Sequence, residues 1–125
     1  MNCLDSSFWI EYFMDGPRAG AVEPVLAEPS QIVVPSICLV EVGRYLALND
    51  EPELARTKMS ALERAQVIPL EASIASDAVR LGMEHKLAMA DSIIYATARA
   101  MDATLWTLDG DFEGLPGVKC FSKKK

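Results

Sequence analysis

The chain has 125 residues, half of them hydrophobic, with 12 basic against 18 acidic side chains and a formal net charge of −6. This length suits one ordinary domain and is too short for two, and the hydrophobic fraction excludes a disordered chain. The acidic balance argues against binding nucleic acid through a simple basic face.

In chain order, Met1-Asn2-Cys3-Leu4 reads as a brief first strand. Ser6 to Phe13 and Ala19 to Leu26 read as two helices separated by Gly16-Pro17. The β-branched run Gln31 to Val34 is a second strand, stopped by Pro35 in the place that suits the first turn of a helix from Ser36 to Leu48. After the turn Asn49 to Pro52, Ala55, Met59 and Leu62 recur at helical spacing within Glu53 to Arg64. Val67 to Leu70 is a third strand, placed at the periphery because Pro69 has no N–H to donate to a ladder. Glu71 to Glu84 is helical with Ile74, Ala78 and Leu81 on one face, and Ala90 to Met101 is another helix. Thr104 to Leu108 is a strand, Asp109 to Gly117 a loop, and Val118 to Phe121 the last strand. Strands alternating with helices predict an α/β fold, a central and mostly parallel sheet flanked by helices in three layers. Residues 1–121 form one expected domain, followed by a basic tail, 122–125, expected to be disordered.

Cys3, Cys38 and Cys120 are odd in number, scattered, and set in apolar contexts. They read as buried small hydrophobes of a reducing cytosol and not as a disulfide framework. Asp5, Glu11 and Asp15 interrupt the apolar stretches near the N-terminus, so no signal peptide is expected. The longest apolar run, around Ile32 to Val40, falls far short of the ~20 residues that span a bilayer. A soluble cytoplasmic protein without a membrane segment is the expectation.

Most acidic residues occupy polar faces or turns, but four do not. Asp5 ends a strand and precedes a helix, where it caps the helix or faces the crevice beyond the strand ends. Glu41 shares a helical face with Ile37, Cys38, Tyr45 and Leu48, a costly place for a charge unless it is paired, with Arg44 for instance, or bound to a cation. Asp91 opens a helix on the face of Ile94, Tyr95 and Ala98, where capping and metal binding are compatible. Asp109 follows a strand in Thr107-Leu108-Asp109-Gly110-Asp111-Phe112. Asp-Gly is a hairpin signal, yet the residues after it do not alternate as a returning strand should. Asp111 is a second acid of that loop, either an auxiliary ligand or a turn residue. Carboxylates gathered in one place need compensation, and with oxygen ligands alone the expected ion is Mg²⁺ or Mn²⁺. His85, the only histidine, stands beside Lys86 and reads as a surface residue.

These acids and their neighbours resemble the PIN-domain signature, and within it the VapC-like toxins of toxin–antitoxin pairs. The matching segments are Cys3-Leu4-Asp5-Ser6-Ser7, Pro35-Ser36-Ile37 running to Glu41-Val42-Gly43-Arg44, Met89-Ala90-Asp91-Ser92-Ile93-Ile94-Tyr95-Ala96-Thr97-Ala98, and Leu105-Trp106-Thr107-Leu108-Asp109-Gly110-Asp111-Phe112. The resemblance implies a parallel sheet flanked by helices and a Mg²⁺- or Mn²⁺-dependent endoribonuclease that hydrolyses RNA with a metal-activated water. It also implies homodimerisation and a cognate antitoxin as partner. Asp5, Glu41, Asp91 and Asp109 correspond to the family's acidic quartet, Asp111 to an auxiliary acid, and Thr107 to a hydroxyl near the metal, with Ser6 as a second supporting hydroxyl. Arg44, one turn beyond Glu41, is a candidate phosphate contact. Three other readings stand beside the toxin: an RNA-processing PIN nuclease, a non-catalytic partner-binding module, and a receiver-type phosphoacceptor domain. The last needs an acceptor Asp after a mid-chain strand, where this chain has Glu71.

Overall fold

The structure is a computed structural model and describes residues 1–122. Five strands form one sheet: β1 (Asn2–Leu4), β2 (Ile32–Pro35), β3 (Gln66–Ile68), β4 (Thr104–Thr107) and β5 (Val118–Cys120), in the order β3-β2-β1-β4-β5. All four pairings are parallel. Six helices flank the sheet: α1 (Ser6–Phe13), α2 (Glu23–Leu26), α3 (Ser36–Asn49), α4 (Pro52–Glu63), α5 (Ala72–His85) and α6 (Met89–Ala100). The expected α/β/α architecture is the observed one.

The central strands are short and apolar because both their faces are covered. Every residue of β2 is buried, as are Cys3, Leu4 and Leu105. Trp9, Phe8, Tyr95 and Phe112 are the largest side chains sealed in the core, each contributing roughly 2–3 kcal/mol of burial. The β3 strand lies at the sheet edge and ends before Pro69, as the missing N–H requires.

Three readings of the elements are corrected. Residues 19–26 are a 3₁₀ turn, Ala19–Val22, followed by α2, and not one helix. Pro24 has no N–H for the carbonyl four residues back, so the first turn tightens. Pro35 closes β2 and sits at the N-cap position of α3, paired with Ile68, where a strand's last residue tolerates the lost donor. Leu48 is 81% exposed, so the apolar face shared by Glu41 stops at Tyr45. The Lys123-Lys124-Lys125 part of the expected tail lies outside the described residues.

The strand order sets the location of the site. From β1 the chain crosses to β2 on one side, while β4 pairs on the other side, which makes the β1–β4 boundary a topological switch point. Ligand crevices open there, beyond the carboxyl ends of the strands. Leu4 pairs with Trp106, so Asp5 and Thr107 emerge side by side. No helix among the described residues is long and apolar enough to cross a membrane.

Candidate metal centre

Asp5 stands at the N-cap position of α1 but makes no capping bond. Its backbone N–H donates to the Trp106 carbonyl at 2.9 Å, which turns the carboxylate toward β4. There Oδ2 accepts from Thr107 Oγ1 at 2.7 Å and from Ser7 Oγ at 2.9 Å. Asp5 is buried, and burial raises its pKa against those two hydrogen bonds, with Glu41 adding to the rise.

Thr107 is fully buried and works in two directions, because its Oγ1 also accepts the Asp109 N–H at 2.9 Å. It thereby ties the first acid to the loop carrying the fourth. Ser7 repeats the device: its hydroxyl donates to Asp5 and accepts the Leu108 N–H at 3.2 Å. Ser7 was not singled out in the sequence. The available signal was a second hydroxyl directly after Asp5, since adjacent first-turn side chains diverge and reach different partners. Ser6 is the other of the pair; it donates to Glu41 Oε1 at 2.7 Å and so joins α1 to α3. No ion pair joins Glu41 to Arg44, which is exposed.

Asp91 is the third residue of α6, whose N-cap is Ala88, so it is not the capping residue. The start of α6 approaches α5 closely because Gly82 has no side chain: a Cβ there would overlap Ser92 Oγ. Asp109 caps a 3₁₀ turn, Gly110–Phe112, by accepting the Asp111 N–H at 2.9 Å. The hairpin reading of Asp-Gly fails, since β5 runs parallel to β4.

One carboxylate oxygen each of Asp91, Asp109 and Asp111 lies within 4.8 Å of the others. Asp5 and Glu41 stand outside that triad but still act on it. Burial lifts the Asp91 pKa to about 7, helped by the charges of Asp5, Asp109, Glu41 and Asp111. All five acids therefore share one field. Asp111, an auxiliary in the sequence reading, belongs to the close triad, whereas Asp5 does not.

The donor set fits a hard divalent cation, being all carboxylate oxygen with no thiol or imidazole in the group. A second observation points the same way: among the described residues no hydrogen bond reaches the carboxylates of Asp91 or Asp111. Asp91 is half-buried and Asp111 exposed, and no protein donor among the described residues competes with a cation for either carboxylate. Cys3 and Cys38 lie beneath the site, their thiols pushed up by burial, and so are poor ligands. His85 corrects the surface reading, since its side chain is 19% exposed and meets the Tyr95 ring edge-on at 5.7 Å.

The PIN domain family profile matches residues 3–118. A search of curated protein sequences finds no match. Among solved structures, a toxin–antitoxin complex from Klebsiella pneumoniae superposes with a TM-score of 0.83 at 28% identity, covering 95% of this chain and 96% of that one. DNA-bound VapBC from Salmonella typhimurium gives 0.77 at 19% identity, with 98% of both chains covered. The sarcin-ricin loop cleaving toxin VapC20 from Mycobacterium tuberculosis gives 0.75 at 18%, covering 94% of this chain and 97% of that one; these last two share the fold.

Proposed function

The chain belongs to the PIN domain family, and from that premise we propose that it is a divalent-metal-dependent endoribonuclease, the toxin of a toxin–antitoxin pair. The observation that carries the reading is the close triad of Asp91, Asp109 and Asp111, pressed by the charges of Asp5 and Glu41. Residues 1–121 act as one nuclease domain.

In this proposal Asp91, Asp109 and Asp111 hold Mg²⁺ or Mn²⁺, with Asp5 and Glu41 completing the catalytic set from β1 and α3. The bound cation supplies Lewis acidity for phosphodiester hydrolysis and offsets phosphate charge. Thr107 and Ser7 fix the Asp5 carboxylate, and Ser6 fixes Glu41, so each acid meets the substrate in a set orientation. The cation also answers the charge problem: a chain of net charge −6 becomes locally attractive to RNA where the metal sits. Arg44, exposed one turn beyond Glu41, is the proposed phosphate contact.

A cognate antitoxin is the proposed partner, supported by the nearly full-length likeness to a chain of a toxin–antitoxin complex. Homodimerisation through the apolar groove between α5 and α6 is also proposed. That groove has a volume of about 460 Å³, and Val79, Met83 and Met89 stand exposed around it. The working compartment is the cytoplasm. The deciding experiment is cleavage of an RNA panel by purified protein with Mg²⁺ or Mn²⁺. Cleavage that EDTA stops and Asp91→Asn abolishes is expected; equal turnover by Asp91→Asn would remove the assignment.

A further inference from the structure

Tyr95 lies one turn after Asp91 on α6, so both residues project from the same helical face. Its hydroxyl donates to the Pro116 carbonyl at 2.8 Å. Its ring packs against Phe112 at 6.4 Å between centroids, and Phe112 is fully buried. Pro116 and Phe112 belong to the 109–117 loop that presents Asp109 and Asp111. The loop is also held by its own short backbone bonds, by Asp109 N–H to Thr107, by Leu105 N–H to the Gly117 carbonyl, and by the Cys120 thiol, which donates to the Asp109 carbonyl at 3.5 Å. Those bonds hold the loop to β4 and β5, while the Arg99 guanidinium of α6 lies against Gly117 at its far end. The Tyr95 contacts hold it to α6, the element that carries Asp91.

We propose that Tyr95 is a positioning residue for the metal centre, its hydroxyl latching the 109–117 loop at Pro116 so that Asp109 and Asp111 stay in register with Asp91. This inference rests on the metal-centre reading above. The physical basis is that one rigid helix supplies both a ligand and the clamp on the loop bearing the other two. The three oxygens then keep their spacing before any cation arrives, and ligands held in place bind more tightly than ligands that must be ordered.

The test is Tyr95→Phe, which keeps the ring against Phe112 and His85 and deletes only the donor. Mn²⁺ affinity is read by electron paramagnetic resonance titration, and exchange of the loop amides is read by hydrogen–deuterium exchange of the metal-free protein. Expected are Mn²⁺ binding weaker by about fivefold, faster exchange confined to 110–117, and a melting temperature near that of wild type without metal. Unchanged Mn²⁺ affinity overturns the proposal even if exchange quickens, because the hydroxyl would then be structural only. A wild-type chain that takes up no Mn²⁺ overturns the underlying metal-centre reading and this inference with it, an outcome separable from a failure of Tyr95→Phe alone.

Discussion

Asp91→Asn should make the metal-free protein more stable at neutral and alkaline pH while destroying its metal site. The reasoning follows from the raised Asp91 pKa, about 7 against an ordinary 3.8, caused first by burial and then by four neighbouring acids. A carboxyl that holds its proton more tightly when folded than when unfolded opposes folding as pH rises. The penalty is absent below about 3.8, grows between 3.8 and 7, and is complete above 7. The full gap is worth at most about 4 kcal/mol at 1.36 kcal/mol per unit. Asp91 is half-buried, so solvent screening reduces this to about 2 kcal/mol. In a domain of this size that is about 7 °C in melting temperature. Thermal unfolding followed by circular dichroism in EDTA, at pH 4 and pH 8, measures it. The variant should match wild type at pH 4 and exceed it at pH 8, and saturating Mn²⁺ should close or reverse the difference by stabilising wild type alone. A variant no more stable than wild type at pH 8 without metal would refute the idea that Asp91 sits in an uncompensated acidic field.

Asp111→Asn should weaken Mn²⁺ binding by about tenfold in a calorimetric titration, since it removes one charge of the close triad; an unchanged constant would return Asp111 to the status of a turn residue. Thr107→Val keeps shape but removes one of the two donors to Asp5 Oδ2 and leaves the Asp109 N–H without its acceptor, so urea unfolding should show a loss of about 1–3 kcal/mol. Mn²⁺ soaked into crystals should give anomalous density among Asp91, Asp109 and Asp111, with density centred on Asp5 instead counting against the triad. Wild type should sediment as the proposed dimer and Val79→Lys, on the exposed apolar face of α5, as a monomer with unaltered Mn²⁺ affinity; a monomeric wild type would remove the dimer proposal.

The parts of this molecule legible in sequence are those where a residue contradicts its surroundings. Glu41 inside Ile37-Cys38-Leu39-Val40 and Asp91 ahead of Ile93-Ile94-Tyr95 are visible because a charge in an apolar stripe requires a reason. Pro69 marked β3 as an edge strand because its chemistry forbids a central one. Less legible is whatever depends on loop backbone. The 3₁₀ turn at Gly110–Phe112 brings Asp111 beside Asp109, and no periodicity encodes that geometry. The divergence of Ser6 toward Glu41 and Ser7 toward Asp5 likewise depends on where β4 and α3 lie, which is tertiary information. Residues 19–26 differ from the single expected helix for a local reason: Pro24 interrupts the backbone ladder, and the first turn is 3₁₀.

The hydroxyl network divides the acids into two kinds. Asp5 receives Thr107 and Ser7, Glu41 receives Ser6, and Asp109 receives the Asp111 N–H, so each has a fixed orientation supplied by the protein. Asp91 and Asp111 receive no donor among the described residues, yet Asp91 is the acid whose proton affinity the other four raise. Donors aimed at every carboxylate would stabilise the metal-free fold and weaken the demand for a cation. Leaving two of them bare concentrates that demand at one end of the cluster, between α6 and the loop after β4. The same asymmetry explains why Asp91→Asn should raise stability and Thr107→Val should lower it, although both touch one cluster. The first removes a charge that accepts no hydrogen bond among the described residues, and the second removes a compensation that the fold already contains.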